Sequence, residues 1–102
     1  MRRIHAERSD AIRLAVGETI ELESLRLTVA PPHVLVVPVA EEPDVVEIVG
    51  QEPLDEDGVH VSMYRLRGVK VGTGRLHLGY KDLRSGELVA EKEIRVRVDP
   101  SP

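Results

Sequence analysis

The sequence contains no cysteine, no asparagine, no phenylalanine and no tryptophan. Without thiols there is no disulfide framework, no thiolate nucleophile and no cysteine-ligated zinc or iron–sulfur centre. Aromatic residues amount to 2%, Tyr64 and Tyr80 alone, which removes the stacking platform that single-stranded nucleic acid requires. A formal net charge of −4 argues against a phosphate-backbone partner. No stretch approaches the roughly 20 apolar residues of a membrane span; the most hydrophobic run, Val34-Leu35-Val36-Val37-Pro38-Val39, is short and carries a proline. Neither nucleic acid nor membrane insertion is therefore expected. The N-terminal Met1-Arg2-Arg3 has no apolar run behind it, unlike a secretory leader. The expected setting is the cytoplasm, a virion, or a larger surface protein from which this domain was excised. The lack of asparagine and the preference for arginine over lysine fit a thermophilic source or a GC-rich genome equally.

What is present is a globular balance, 41% hydrophobic and 31% charged over 102 residues, enough for one core without staples. A single domain over 1–102 is expected, with 1–9 and 99–102 as flexible tails. The dominant periodicity is two, the signature of strands. Ile12, Leu14 and Val16 alternate with Arg13 and Ala15 before a Gly17-Glu18 turn. Ile20 and Leu22 continue the alternation, but the apolar set resumes at Leu25, one residue out of phase. A one-residue slip swaps the faces of a strand, so the break near Glu23-Ser24 implies a bulge, a bend or a change of sheet.

Pro31-Pro32 interrupts hydrogen-bonded structure, and His33 to Val37 reads as a strand buried on both faces and ended by Pro38. Asp44 to Val49 is a short strand closed by Gly50, followed by a loop over 51–58. Val59, Val61 and Met63 alternate with His60, Ser62 and Tyr64, placing the first set inward. After a glycine-rich corner over 68–74, Leu76, Leu78 and Tyr80 pair by hairpin with Ile94, Val96 and Val98 through Arg84-Ser85-Gly86-Glu87. About seven antiparallel strands at short spacing, with no helical pattern between them, predict an all-β immunoglobulin-like sandwich of two sheets.

Three stretches carry a resemblance: Leu14 to Leu22 with its Gly-Glu-Thr turn, Glu42 to Gly50 with a proline turn before a valine-rich strand, and Val71 to Leu78 with its Gly-Thr-Gly corner. Together they are similar to bacterial immunoglobulin-like domains of the cell-surface and phage type. The opening and closing strands also resemble those of the chagasin-type inhibitors of papain-like cysteine proteases. That family enters the protease cleft with three loops: one with an Asn-Pro-Thr-Thr-Gly motif, one glycine-rich, and one with Arg-Pro-Trp after the penultimate strand. Here there is no asparagine, the central loop holds only Gly58, and Lys81-Asp82-Leu83 follows Tyr80.

Candidate chemistry is sparse. His5, His33, His60 and His77 are scattered and read as exposed strand residues, not metal ligands. Asp55-Glu56-Asp57-Gly58 has oxygen ligands suited to calcium but lacks the EF-hand spacing, so a solvated turn is the expectation. No nucleophile elbow and no phosphate loop before a helix occur. No catalytic residue, metal or cofactor is expected, and the chain is read as a non-enzyme. Tyr80 resembles the tyrosine that pins corners in such sandwiches, its hydroxyl returned to backbone.

Charge is segregated: Glu41 to Asp57 is acidic without a single Lys or Arg, and Arg65 to Arg97 is rich in both. Such asymmetry can steer a partner or pair copies head to tail. The sequence thus points to a protein-binding or self-associating module in assembly, adhesion or a virion surface, with inhibition of papain-family cysteine proteases as the alternative. Its binding pole is expected where alternate connections gather: Pro31, Pro32 and His33; Asp55, Glu56, Asp57 and Gly58; and Lys81, Asp82 and Leu83.

Overall fold

A computed structural model describes residues 1–26, 34–54 and 61–101. The period-2 segments form β2 (Ala11–Ala15), β3 (Thr19–Glu23), β4 (Val34–Ala40), β5 (Val46–Pro53), β6 (Ser62–Gly68), β7 (Gly72–Asp82) and β8 (Leu88–Asp99), preceded by a short β1 (Arg3–His5). They assemble as two four-stranded sheets, β1-β3-β6-β5 (sheet A) and β2-β8-β7-β4 (sheet B). With β1 and β2 as two halves of a split first strand, this is the strand order of an immunoglobulin-type sandwich. The architecture is the all-β sandwich expected. The two halves of the first strand pair parallel to their neighbours, β1 with β3 and β2 with β8; the remaining strand pairs are antiparallel.

The core lies between Ile20, Leu22, Val46, Tyr64 and Leu66 of sheet A and Ile12, Leu14, Leu76, Leu78, Tyr80, Ile94, Val96 and Val98 of sheet B. Burying each such side chain contributes about 1.5–3 kcal/mol relative to leaving it exposed. The final hairpin is the longest pairing, running from Gly72↔Val98 to Lys81↔Leu88. The phase break at Glu23-Ser24 falls where the chain leaves sheet A: β3 ends at Glu23 and the next strand among the described residues, β4, belongs to sheet B.

Four expectations need correction. Residues 1–9, expected to fray, contain β1 and a 3-10 turn, Ala6–Arg8, whose Ala6 is fully buried against the core. β4 runs through Pro38 to Ala40, and β5 through Gly50 to Pro53. Both are edge strands, where a proline's missing N–H faces outward and costs no ladder bond; a register shift between Ile48 and Gly50 absorbs the glycine. In β6 the inward set is Tyr64 and Leu66, not Met63. Met63 is buried on the outer face instead, where its Sδ lies 3.5 Å from the Arg3 guanidinium. The strand's phase is set by Tyr64 and Leu66 packing against sheet B, which outweighs the apparent Val61-Met63 alternation.

At the end where β6 hands over to β7, Gly68 passes so close to the first strand that a Cβ there would stand 2.5 Å from the Ala15 carbonyl oxygen. Only glycine fits that crossing.

Candidate functional site

Strand register fixes which connections share a pole. In sheet A the end of β3 and the end of β5 both meet the start of β6, through Glu23↔Met63 and Pro53↔Ser62. In sheet B the start of β4 meets the end of β7, through Val34↔Asp82. The roots of the β3–β4 connection, the β5–β6 connection and the β7–β8 turn therefore stand at one end of the sandwich. Of the residues expected to form the binding pole, Lys81, Asp82 and Leu83 stand at that end. Pro31, Pro32, His33, Asp55, Glu56, Asp57 and Gly58 lie outside the described residues, as does His60.

The roots are tied by side chains. The Leu25 amide donates to the Tyr80 hydroxyl at 2.7 Å, joining the segment after sheet A's β3 to sheet B's β7. The Ser24 amide donates to the Ser62 carbonyl at 2.8 Å, and the Ser62 amide returns a bond to Ser24 Oγ at 2.9 Å. The Leu54 amide donates to the Val61 carbonyl at 2.7 Å, closing the base of the β5–β6 connection. Burial raises the Tyr80 hydroxyl's pKa, and the bonds from Leu25 and Ser24 only partly oppose that shift. The hydroxyl thus stays neutral and available to the Leu25 amide. Tyr64, also fully buried, is pushed up more strongly by the same desolvation. Ser62 softens that shift without being placed to satisfy the hydroxyl, which lacks a partner among the described residues.

The β7–β8 turn is self-contained. Asp82 Oδ1 accepts from the Arg84 amide at 2.8 Å, the Asp82 amide donates to the Glu87 carbonyl at 2.9 Å, and the Gly86 amide donates to the Asp82 carbonyl at 2.8 Å. Gly86 sits at φ +76°, the left-handed conformation that a non-glycine residue adopts only at a cost. The Arg84 amide, then its guanidinium, hold the Asp82 carboxyl below the usual carboxylate range. Two large apolar side chains stand in solvent here, Leu83 in the braced turn at 51% and Leu88 at the start of β8 at 59% exposure. Leu83 falls within the expected pole, whereas Leu88, the first residue of β8, carries no sequence signal that sets it apart from the buried apolar residues of that strand.

The remaining candidates disperse. His5 Nδ1 lies 2.8 Å from Glu23 on the outer face of sheet A, and His77 lies 3.2 Å from Glu91 on that of sheet B. Among the described residues no group of three or more His, Asp or Glu is placed to hold a metal. The segregation of acidic and basic sequence does not survive pairing. Antiparallel strands set Arg65 on Glu52 at 3.1 Å, Arg67 on Glu47 at 4.0 Å and Arg75 on Glu41 at 2.9 Å. Acid faces base across neighbouring strands, which corrects the expectation of two opposed charged regions.

No protein-family model matches the chain, and no curated protein matches it either. Among solved structures it is similar to the cysteine protease inhibitor EhICP2 from Entamoeba histolytica, at a TM-score of 0.74 and 15% identity, covering 96% of this chain and 94% of that one. It is similar also to amebosin, at a TM-score of 0.54 and 14% identity, covering 99% of both chains. Identities this low establish the fold. An end-to-end likeness to a protease inhibitor nevertheless overturns the structural, adhesive or virion-surface module expected from sequence.

Proposed function

We propose that this domain is a non-enzymatic inhibitor of papain-type cysteine proteases that blocks the catalytic cleft with the pole built from the β3–β4, β5–β6 and β7–β8 connections. The observation that carries the reading is the end-to-end likeness to EhICP2 at a TM-score of 0.74. The register that gathers the roots of three connections at one end supports it further. The sequence contains no cysteine with which to bond covalently to the protease thiol, so the mode is occlusion: a rigid surface competes with substrate and is not turned over. Affinity by this route depends on preorganisation, because every side chain or loop ordered on binding subtracts from it. The Tyr80–Leu25 bond and the braced Asp82 turn supply that order in the free protein. Leu83 and Leu88 supply apolar anchors and Arg84 a polar rim, the composition of an interface centre and edge.

The test is a titration of an active-site-calibrated papain-type protease with the purified chain. Competitive, reversible inhibition is expected, with the domain recovered intact after prolonged incubation. Absence of inhibition at high micromolar concentration, or recovery of protease activity as the domain is digested, rules the reading out.

A further inference from the structure

The outer face of sheet B breaks a rule that the outer face of sheet A obeys. Arg75 on β7 stands directly opposite Arg95 on β8, and Arg13 on β2 directly opposite Arg97 on β8. All four side chains are exposed on the same face. Directly opposed residues in a sheet have Cβ atoms about 5 Å apart, and like charges there are destabilising. The available carboxylates compensate unevenly. Arg13 and Arg97 share Asp99, at 3.0 and 2.9 Å, and Arg75 is held by Glu41 at 2.9 Å and Glu42 at 3.6 Å. Arg95 has no ion pair among the described residues. The nearby Asp10 is bonded to Lys92 at 2.9 Å and feels Arg95 only as a weaker, secondary charge.

Between these arginines lies a groove of about 440 Å³, lined by Arg75, Arg95 and Arg97 and by the small Ala11 and Thr73, and reaching the apolar Ile12 and Val96. Glu42, at its margin, is already committed: its carboxylate accepts the Arg75 amide at 2.7 Å. The groove is about 23 Å along β7 from the Asp82 turn, at 3.3 Å per residue, and is independent of the protease-binding pole.

We propose that this groove is a binding site for a multiply charged oxyanion, a phosphate or sulfate group, seated between Arg75, Arg95 and Arg97. Guanidinium groups bind such tetrahedral oxyanions bidentately, and three of them lining one groove can offer donors to a group with three peripheral oxygens. A seated dianion also relieves the two opposed arginine pairs, so ligand binding and stability are linked.

Two probes distinguish a free from a chain-borne oxyanion: pyrophosphate and dextran sulfate, each titrated calorimetrically into the full chain at low ionic strength. Arg95→Gln is compared with Arg67→Gln, a control of equal charge change on sheet A. Saturable binding of either probe, weakened about tenfold or more by Arg95→Gln and retained in Arg67→Gln, supports the site. The tighter of the two probes names the source. Arg95→Gln is also expected to melt above wild type at low salt, with the gap closing as the bound probe or added salt screens the patch. No binding of either probe, equal loss in both variants, or a lower melting temperature for Arg95→Gln overturns the proposal.

Discussion

At the end of the sandwich where β6 hands over to β7, the strand connections are tied together by main chain. The Gly17 amide donates to the Gly68 carbonyl at 2.8 Å, the Gly68 amide to the Glu18 carbonyl at 3.1 Å, and the Val69 amide to the Val45 carbonyl at 2.8 Å. At the opposite end, side chains are added to the main-chain bonds: Tyr80 on Leu25, Ser24 on Ser62, Asp82 on Arg84. Main-chain stitching tolerates almost any side chain that fits, and so fixes the fold without specifying a function. Side-chain bracing depends on residue identity and leaves the connections it roots free to vary. On the proposed reading, the side-chain-braced end is the one where specificity is written.

The largest effect is expected from breaking the main-chain end. Gly68→Ala forces a methyl group against the Ala15 carbonyl oxygen, a backbone atom that cannot move aside. A loss of about 3 kcal/mol in unfolding free energy is expected, read by urea denaturation. A loss below about 0.5 kcal/mol means that the crossing relaxes, and the end is not rigid as described. Tyr80→Phe comes next. It leaves the Leu25 amide without its partner at about 1–2 kcal/mol, while core packing is kept. Hydrogen exchange at the Leu25 amide is expected to accelerate beyond what the global loss explains, because the opening is local to the root of the β3–β4 connection. Protection unchanged at Leu25 would falsify the bracing role.

Leu83→Asp separates stability from recognition. Leu83 is 51% exposed and lies outside the core, so unfolding free energy should stay within about 0.5 kcal/mol. Protease inhibition should weaken about tenfold or more, as for an interface anchor. An unchanged inhibition constant moves the contact away from the β7–β8 turn.

The same contrast explains what the sequence disclosed. Leu76, Leu78, Tyr80, Ile94, Val96 and Val98 announce the final hairpin because each alternates with a charged or small residue, and all six are buried. The misphase after Leu22 announces the change of sheet, since a period-2 strand cannot slip by one and stay in place. The split first strand is not legible, because the three residues of β1, Arg3-Ile4-His5, are too few to establish a period and gain their place from parallel pairing with β3. Tyr64 was misassigned because Val61 and Met63 are also buried, which erases the one-sided pattern. The opposed arginines were invisible for a further reason: Arg75 and Arg95 lie 20 positions apart, and only the hairpin register sets them face to face. A local pattern reports which face a residue occupies; it does not report its cross-strand neighbour. The place of Lys81-Asp82-Leu83 beside a turn is legible because Arg84-Ser85-Gly86-Glu87 follows, although β7 runs two residues past Tyr80, to Asp82.

The smallest effect concerns Asp82. The Arg84 amide and guanidinium depress its pKa in the folded state. A depressed carboxyl contributes stability that is fully present above its unfolded value of about 3.9 and is lost as pH falls through the lower folded value. Asn at this position keeps an oxygen for the Arg84 amide but cannot titrate. Melting temperatures of the wild type and Asp82→Asn should differ most near neutrality and converge as pH drops from about 6 towards about 2. Asp10, depressed by Lys92, adds its own acid sensitivity, but it does so equally in both proteins and cancels from the difference. A gap that holds constant over that range means that the carboxylate charge does not brace the turn. The order of the β7–β8 turn would then rest on the Gly86 conformation and the main-chain bonds alone. In that case Asp82→Asn should leave protease inhibition as pH-independent as it leaves stability, and the side-chain-braced end would owe its rigidity to Tyr80 and Ser24.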